Sequence, residues 1–556
     1  MSLTFSADLF EDLPAPLKNR CKEVQVGNRT TDTEFLLPVS GISDAALKLF
    51  LDLAREQAQT KVARAIDAIL QARAGRAHDT PVPNFKAFLG MLLAYLCQDR
   101  QEGWVFLEER DGQRYPALVT DIEFDSGFER YGRHHSERPC VTLTVSYFGL
   151  SRQERSAEPG YAKRRIMFYP QQVSRRTLPA IFAAADLIHE NPALIEAYRS
   201  ELIRFDTQLR EGFAKQYVAT GKILQHLEHY RLDGAPIDAR RVIHDTPAAL
   251  FQALGTDSSR EASPLFDAHE SDGEGTVPGH PVVGVFDLKT HDTYWMHANA
   301  LTAHVYDRSL GEKLVLPASH RDLLDVLTSD TQVFMGDVIE GKSAGNIILC
   351  KGVPGVGKTL TAEVYAELIG KPLYKIHAGD LGTDAEKIND NLETIFQRCA
   401  RWDCVLLLDE ADVFVMRRGE SIERNAVVAE FLRTLEYFDG LLFMTTNRPN
   451  DIDEAIISRC AAIIEYDLPS TKNLHKVWAV QSDLAQAALP NPLIDQLVAL
   501  FPQITPRDIK MLLRLTLRAA QAKHQGALSL DLFRRCAMFR AIAMDENAPV
   551  DKEGCL

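Results

Sequence analysis

At 556 residues the chain is several times the usual domain size, so roughly two to four domains are expected. Hydrophobic residues at 46% and charged residues at 25% exclude a disordered or fibrous chain. With 62 basic against 77 acidic side chains the formal charge is -15, so the average surface repels nucleic-acid backbones and anionic lipid. Nine scattered cysteines lack the paired short spacings of a zinc site or disulfide framework and point to a reducing, cytoplasmic setting. Residues 1–11 include Asp8 and Glu11 and lack signal-peptide character, and the most apolar runs, 88–96 and 441–446, are too short to cross a bilayer. No membrane partner is expected.

Between residues 43 and 72, Leu47, Phe50, Leu53, Val62, Ile66 and Leu70 recur at the three-to-four spacing of amphipathic helix, and a second helix is predicted around 88–96. Residues 1–105 therefore read as a helical N-terminal region. In residues 106–255 the pattern is mixed α+β. Val141, Leu143, Val145 and Tyr147 alternate with polar residues as in a half-buried strand, and helical spacing runs from 178 to about 232. Residues 256–280, crowded with Ser, Asp, Glu, Gly and Pro, read as a linker. A small β-rich segment follows at 281–320, with strand-like runs at 282–286, 294–296 and 314–316.

From 321 to 470 strands and helices alternate. Strands are predicted at 346–350, 373–376, 405–408, 441–446 and 462–466, and helices at 358–369 and 385–401. That rhythm belongs to an α/β fold with a parallel sheet covered on both faces. Residues 471–545 are helical only and form a separate small bundle, followed by a tail at 546–556.

Gly352-Val-Pro-Gly355-Val-Gly357-Lys358-Thr359 matches the phosphate-binding loop pattern and lies between a predicted strand and a predicted helix. Glycines let backbone N–H groups turn inward around phosphates, and the helix N-terminus adds its positive dipole end. The loop residues Gly352, Pro354, Gly355, Val356, Gly357 and Leu360 are expected to surround the phosphates of ATP, with Lys358 on the terminal ones and Thr359 on Mg2+. About fifty residues later, 405–408 form an apolar strand that delivers Asp409 and Glu410 at its C-terminal end. Asp409 is expected to hold the Mg2+ shell and Glu410 to orient and polarise the attacking water.

Asp409 to Asp412 also spells DEAD, which invites a helicase reading. The next strand argues against it. It ends in Thr445-Thr446-Asn447-Arg448-Pro449, where those helicases carry a Ser/Ala-Thr motif, and Asn447 sits as a polar sensor beside the water.

This order, followed by Asp453-Glu454-Ala455-Ile-Ile-Ser458-Arg459, resembles the second region of homology of the AAA (AAA+) ATPases. The resemblance implies that residues 321–470 are the ATPase core and 471–545 its helical lid. It also implies that Arg459 reaches the ATP site of a neighbouring subunit, with an ordinary surface salt bridge as the alternative, and that the active form is a closed ring, by the same resemblance a hexamer. The paired arginines and Pro-Gly-Arg-Phe context of many members are replaced here by Ser458-Arg459-Cys460. In the lid, Thr505-Pro506-Arg507-Asp508 resembles the start of the helix that carries a sensor arginine, so Arg507 is placed in cis beside the terminal phosphate, with helix capping or an ion pair as the alternative. The loop 380–386 lacks the aromatic with which related unfoldases grip polypeptide.

Residues 281–525 further resemble a group of AAA proteins, common in fungi and sparser in bacteria, in which a domain of unknown function precedes the ATPase. The likeness is carried by Val283-Gly-Val-Phe-Asp287-Leu-Lys289, Leu314-Val-Leu-Pro317, Lys358-Thr-Leu-Thr-Ala-Glu363, Trp402 and Phe431-Leu-Arg-Thr-Leu-Glu-Tyr-Phe438.

Other clusters have plainer readings. His134 and His135 near Cys140 lack a second ligand pair and read as loop residues rather than a metal site. Lys163-Arg164-Arg165 and Arg175-Arg176 read as solvated charge, and Phe431, Leu432, Leu435 and Phe438 as core packing. No HExxH sequence is present, so a fused metallopeptidase is not supported. The expected activity is remodelling or disassembly of a protein client by a homo-oligomeric ATPase. The competing classes are a nucleic-acid motor or loader, which the acidic charge disfavours, and an ATP-gated interaction protein that turns over slowly.

Overall fold

The structure is a computed structural model that describes residues 3–25, 33–37, 42–125, 139–150, 159–209, 211–226, 234–246, 261–262, 275–328, 346–382, 385–418, 422–522 and 528–545. His134, His135, most of the expected linker and the expected tail lie outside the described residues. The chain divides into two compact units, one of residues 1–213 and 217–302, the other of residues 214–216 and 303–556.

In the first unit, the helices Asp44–Glu56, Thr60–Gln71 and Phe85–Cys97 bury Leu47, Phe50, Val62, Ile66 and Phe88, as their spacing predicts. Three short strands precede them, Leu3–Ser6, Lys22–Gln25 and Thr33–Leu37, in an antiparallel sheet with the last in the middle. The region read as helical therefore also holds a small sheet. Runs this short are too brief to show a strand period beside the longer helical signal.

The same hydrophobic core continues past residue 105 into a five-stranded antiparallel sheet. Its order is Gly160–Phe168, Cys140–Gly149, Arg114–Asp125, Trp104–Glu108, Leu187–His189, and Val105, Val141, Leu143 and Val145 join Phe88 in the core.

A six-stranded sheet has the order Gln225–His226, Thr293–His297, Val282–Asp287, Pro236–His244, Gln216–Lys222, Leu301–Ala303. Two expectations change here. Helical spacing holds through Pro192–Leu209, but Leu187–His189, Gln216–Lys222 and Gln225–His226, read as part of the same helical run, are strands; β-branched Val218 and Thr220 favour extended chain. The run 314–316 is extended but joins no sheet among the described residues; its apolar side chains pack instead in the second unit.

The second unit is built on a parallel sheet ordered Leu373–His377, Val405–Asp409, Leu441–Thr446, Asn346–Gly352, Ala462–Tyr466. Val405–Asp409 and Leu441–Thr446 are buried at every position, which accounts for their unbroken apolar runs. Phe431, Leu432, Leu435 and Phe438 are buried, as core packing requires. The helices Thr471–Leu484, Asn491–Leu500, Pro506–Ala522 and Leu530–Met538 enclose a core of their own, in which the Trp478 and Phe533 rings meet edge to face at 5.8 Å.

Candidate nucleotide site

The loop between Asn346–Gly352 and the helix Lys358–Ile369 lies at the C-terminal end of the sheet, where open α/β sheets bind ligands. Two of its glycines are required sterically. Gly352 has φ 151° and a Cβ there would come within 2.3 Å of the Tyr466 carbonyl oxygen; Gly355 has φ 86° and its Cβ would lie 2.9 Å from that of Arg507. Gly357 precedes the helix in the left-handed region at φ 110°, with nothing near its missing Cβ. The loop thus opens toward the helix N-terminus, whose free N–H groups favour an anion.

Lys358 is buried, and its Nζ donates to the Gly352 and Val353 carbonyls at 2.7 and 2.8 Å and to Asn447 Oδ1 at 2.9 Å. Burial lowers its pKa from the usual lysine value, partly offset by Asp412, Cys350 and Asp409. Asn447, at the end of the central strand, is thereby tied directly to the phosphate loop.

Asp409 Oδ1 accepts from Thr359 Oγ1 at 2.8 Å and from Thr445 Oγ1 at 2.7 Å, and Lys375 Nζ lies 3.0 Å from Oδ2. Burial alone would raise the carboxyl, but the Thr445, Lys375 and Thr359 contacts outweigh it and hold the pKa below the usual aspartate value. Glu410 is exposed and stands at φ 55°, its backbone N–H donating to Thr445 Oγ1 at 2.9 Å. Asp412 braces the same strand end, accepting from Thr446 Oγ1 at 2.6 Å and from the Asn447 N–H at 3.0 Å.

Arg459 follows the short helix Glu454–Ile457, which is held by the Asp453 carboxylate through the Ala455 N–H at 2.9 Å and Arg418 Nε at 3.0 Å. Its own guanidinium pairs with Glu436 and donates to the Ala455 carbonyl at 3.1 Å. The structure therefore does not bring Arg459 together with the phosphate loop of its own chain. The backbone N–H of Arg507, at the start of the lid helix Pro506–Ala522, donates to the Gly355 carbonyl at 3.2 Å, while its side chain is exposed.

Beside the loop lies a mainly apolar cleft lined by Leu314, Val315, Leu316, Val356, Leu360, Val477 and Val480, with Gln481 at its wall. Its far-separated segments left no spacing signal in the sequence. Thr445 lay inside the strand-end motif that marked Asn447; its role, with those of Lys375, Asp412 and Glu436, becomes visible only in the folded chain. Among the described residues there is no cluster of three or more His, Cys, Asp or Glu able to hold a metal by themselves, and no helix is long and apolar enough to cross a membrane.

The family model described as "ATPase family associated with various cellular activities (AAA)" matches residues 348–468. An uncharacterized AAA family ATPase, y4kL, of Sinorhizobium fredii is 28% identical over 169 residues, which are 28% of this chain and 51% of that protein. The ATP-dependent zinc metalloprotease FtsH 1 of Symbiobacterium thermophilum is 28% identical over 186 residues, 30% of each chain. A chain in the solved structure of the E. coli MS115-1 HORMA:CdnC:Trip13 complex matches with a TM-score of 0.33 and 20% identity, over 41% of this chain and 89% of that one. The match spans about half the length of the first of these curated relatives and under a third of the second. Residues 348–468 form an AAA-family ATPase domain on a parallel α/β core, carried by a chain with a mixed α and β region upstream.

Proposed function

We propose that this chain binds ATP with Mg2+, hydrolyses it between neighbouring copies in a ring, most simply a hexamer, and uses the motion to remodel or disassemble a protein client. The observation that carries the reading is the convergence on one loop of Lys358, Asp409 and Asn447, with Glu410 turned outward beside them. Lys358 neutralises the terminal phosphates, and Asn447 links it to the central strand. Thr359 and Asp409 supply a hydroxyl and an ionised carboxylate side by side, hard oxygen donors that suit Mg2+; the metal would supply charge neutralisation on the phosphates. Glu410 is free to orient the attacking water and take up its proton as the terminal phosphoryl group separates. Arg507 contacts that group in cis, and Arg459, once released from Glu436, contacts it from the next copy. The base occupies the cleft between Val356, Leu360 and Val480.

The protein-client part rests on the acidic charge, which disfavours nucleic acid, and on relatives that include ATP-dependent zinc metalloproteases. Eight free cysteines among the described residues support a cytoplasmic, reducing location. Glu410→Gln should bind ATP but arrest turnover, and client protein should co-purify with the ATP-bound variant; undiminished hydrolysis would remove the assignment. Arg459→Ala should be inactive alone and regain activity when mixed with a Lys358→Ala variant, through mixed interfaces that are intact; no recovery at any ratio refutes action across an interface.

The Arg459–Glu436 pair favours one second reading, an ATP-gated interaction protein with slow turnover, because the arginine is engaged within its own chain. A ring that assembles with ATP yet hydrolyses it at a rate unaffected by client would support that reading.

A further inference from the structure

In the five-stranded sheet of the first unit, Gly160–Phe168 stands at one edge, and its nine residues pair with Cys140–Gly149 from end to end without a register shift. The other described sheets end on short strands. Leu187–His189, on the opposite edge of this sheet, has three residues, and no other edge strand exceeds five. Shortness is one way that proteins keep a sheet edge from pairing with another chain. Among the described residues nothing hydrogen-bonds to the backbone along the outer side of Gly160–Phe168, so alternate residues present N–H and C=O groups outward over its whole length.

The side chains of this strand divide by face. Ala162, Ile166 and Phe168 enter the core, whereas Tyr161, Lys163, Arg165 and Met167 stand exposed on the other side. The run 163–165, read from sequence as solvated charge, is thereby split: Arg164 turns inward to Glu109 at 2.9 Å, and Lys163 and Arg165 have no carboxylate partner among the described residues. Asp121 and Glu123 share their face but stand two strands in, opposite Thr144 and Thr142. Apolar groups frame the two cations, Tyr161 at 43% and Met167 at 51% exposure. The Tyr161 hydroxyl donates to Ser146 Oγ at 3.2 Å, which holds the ring down on the sheet. In a chain with a formal charge of -15, this strand carries three cations and no carboxylate.

We propose that this edge takes up an extended acidic segment of a protein client as an additional strand. Backbone pairing would supply the attachment and alternate side chains the selection. Residues directly opposite each other meet across a strand pair, so the segment is apolar opposite Tyr161, acidic opposite Lys163 and Arg165, and apolar again opposite Met167, at every second position. That pattern reads the same from either end, so it serves a parallel or an antiparallel strand. A second copy of Gly160–Phe168 is disfavoured, because it would set like charges against Lys163 and Arg165. Single-stranded nucleic acid is disfavoured too, since a phosphate backbone has no groups to match the outward N–H and C=O row. The inference rests on the protein-client reading and names the class of segment recognised; its readout is binding, which is separable from ATP turnover.

The test uses the full-length protein and a fluorescein-labelled peptide, Leu-Thr-Glu-Thr-Glu-Thr-Val, followed by fluorescence anisotropy. Wild type should bind it, and Lys163→Glu/Arg165→Glu should weaken binding by about tenfold or more. The milder Lys163→Gln/Arg165→Gln should show a smaller loss. A peptide with lysine in place of both glutamates should prefer the charge-reversed protein to wild type, and that recovery also shows that the variant folds. Methylating the backbone nitrogens of one alternate set of peptide residues should abolish binding while methylating the other set spares it, because an added strand pairs along one side only. No binding by wild type, equal binding by the charge-reversed variant, or equal effects of the two methylation patterns would overturn the strand docking. Single-stranded DNA that binds wild type, is lost in Lys163→Glu/Arg165→Glu and is not displaced by the peptide would overturn it in favour of nucleic acid. Peptide binding that meets all these expectations, in a protein whose Glu410→Gln variant retains no client with ATP, supports the strand site and defeats only the remodelling reading.

Discussion

Thr445→Val is the substitution that most directly probes how the Asp409–Glu410 pair is held. The two side chains are nearly the same size, so no cavity forms, and Thr445 is only 2% exposed. Two hydrogen bonds disappear: the 2.7 Å donation to Asp409 Oδ1 and the 2.9 Å anchor on the Glu410 N–H. A hydrogen bond to a charged group contributes about 1.5–3 kcal/mol, and an N–H left without a partner costs about 1–3 kcal/mol where it is buried. Asp409 keeps Thr359 and Lys375, and Glu410 is at the surface, so the low end applies, about 2–3 kcal/mol. Glu410 also stands at φ 55°, a left-handed conformation that costs about 1–2 kcal/mol, and it loses the contact that fixes it there. If that loss appears as misplacement of the Glu410 carboxylate, turnover falls by about 30- to 160-fold. ATP affinity should change little, because Lys358 and the loop are untouched. Steady-state hydrolysis and fluorescent-nucleotide titration separate the two, and Thr445→Ser, which restores the hydroxyl, should recover most of the rate. Wild-type turnover in the valine variant, or a serine variant equally impaired, would refute the reasoning.

Gly355→Ala places a methyl 2.9 Å from Arg507 Cβ and 3.0 Å from Thr505 Oγ1 at φ 86°, so the lid helix must shift off the loop; ATP affinity should fall by about tenfold in direct titration, and unchanged affinity would contradict the contact. Val480→Trp fills the base cleft and should weaken ATP by a similar factor while sparing inorganic tripolyphosphate, whereas equal loss of both would move the base elsewhere. Lys375→Met removes the cation 3.0 Å from Asp409 Oδ2, so half-maximal activity should need less Mg2+; a higher requirement would show that Lys375 supports the metal site rather than competing with it. The depressed Asp409 pKa has a definite sign. Its carboxylate contributes stability that is complete above the ordinary aspartate range and is lost as pH falls through the lower folded value, and Thr445→Val should shift that loss to higher pH in acid-unfolding curves.

The chemistry that lies in continuous chain was legible, and the parts that close the site were not. The phosphate loop is short, local and sterically demanding, so Gly352, Gly355 and Lys358 could be placed from their order alone. Asp409 and Glu410 followed because an apolar strand has one end at which to deliver polar groups. Nothing local marks Lys375, whose ion pair with Asp409 depends on Leu373–His377 lying next to Val405–Asp409 in register, His377 opposite Asp409. The same holds for the apolar cleft proposed for the base, whose walls come from residues 314–316, 356–360 and 477–481 and meet only when the lid folds beside the sheet. The missed strands at 216–226 have another cause: their partners are 236–244 and 293–303, and short pairings across such distances leave little periodicity in either run. Arg459 shows the boundary most clearly. Motif order proposes it for a neighbour's site, and within one chain its guanidinium pairs with Glu436. The proposed role in trans is therefore probed by asking which contacts of the single chain, the Arg459–Glu436 pair first, must break when a second copy arrives.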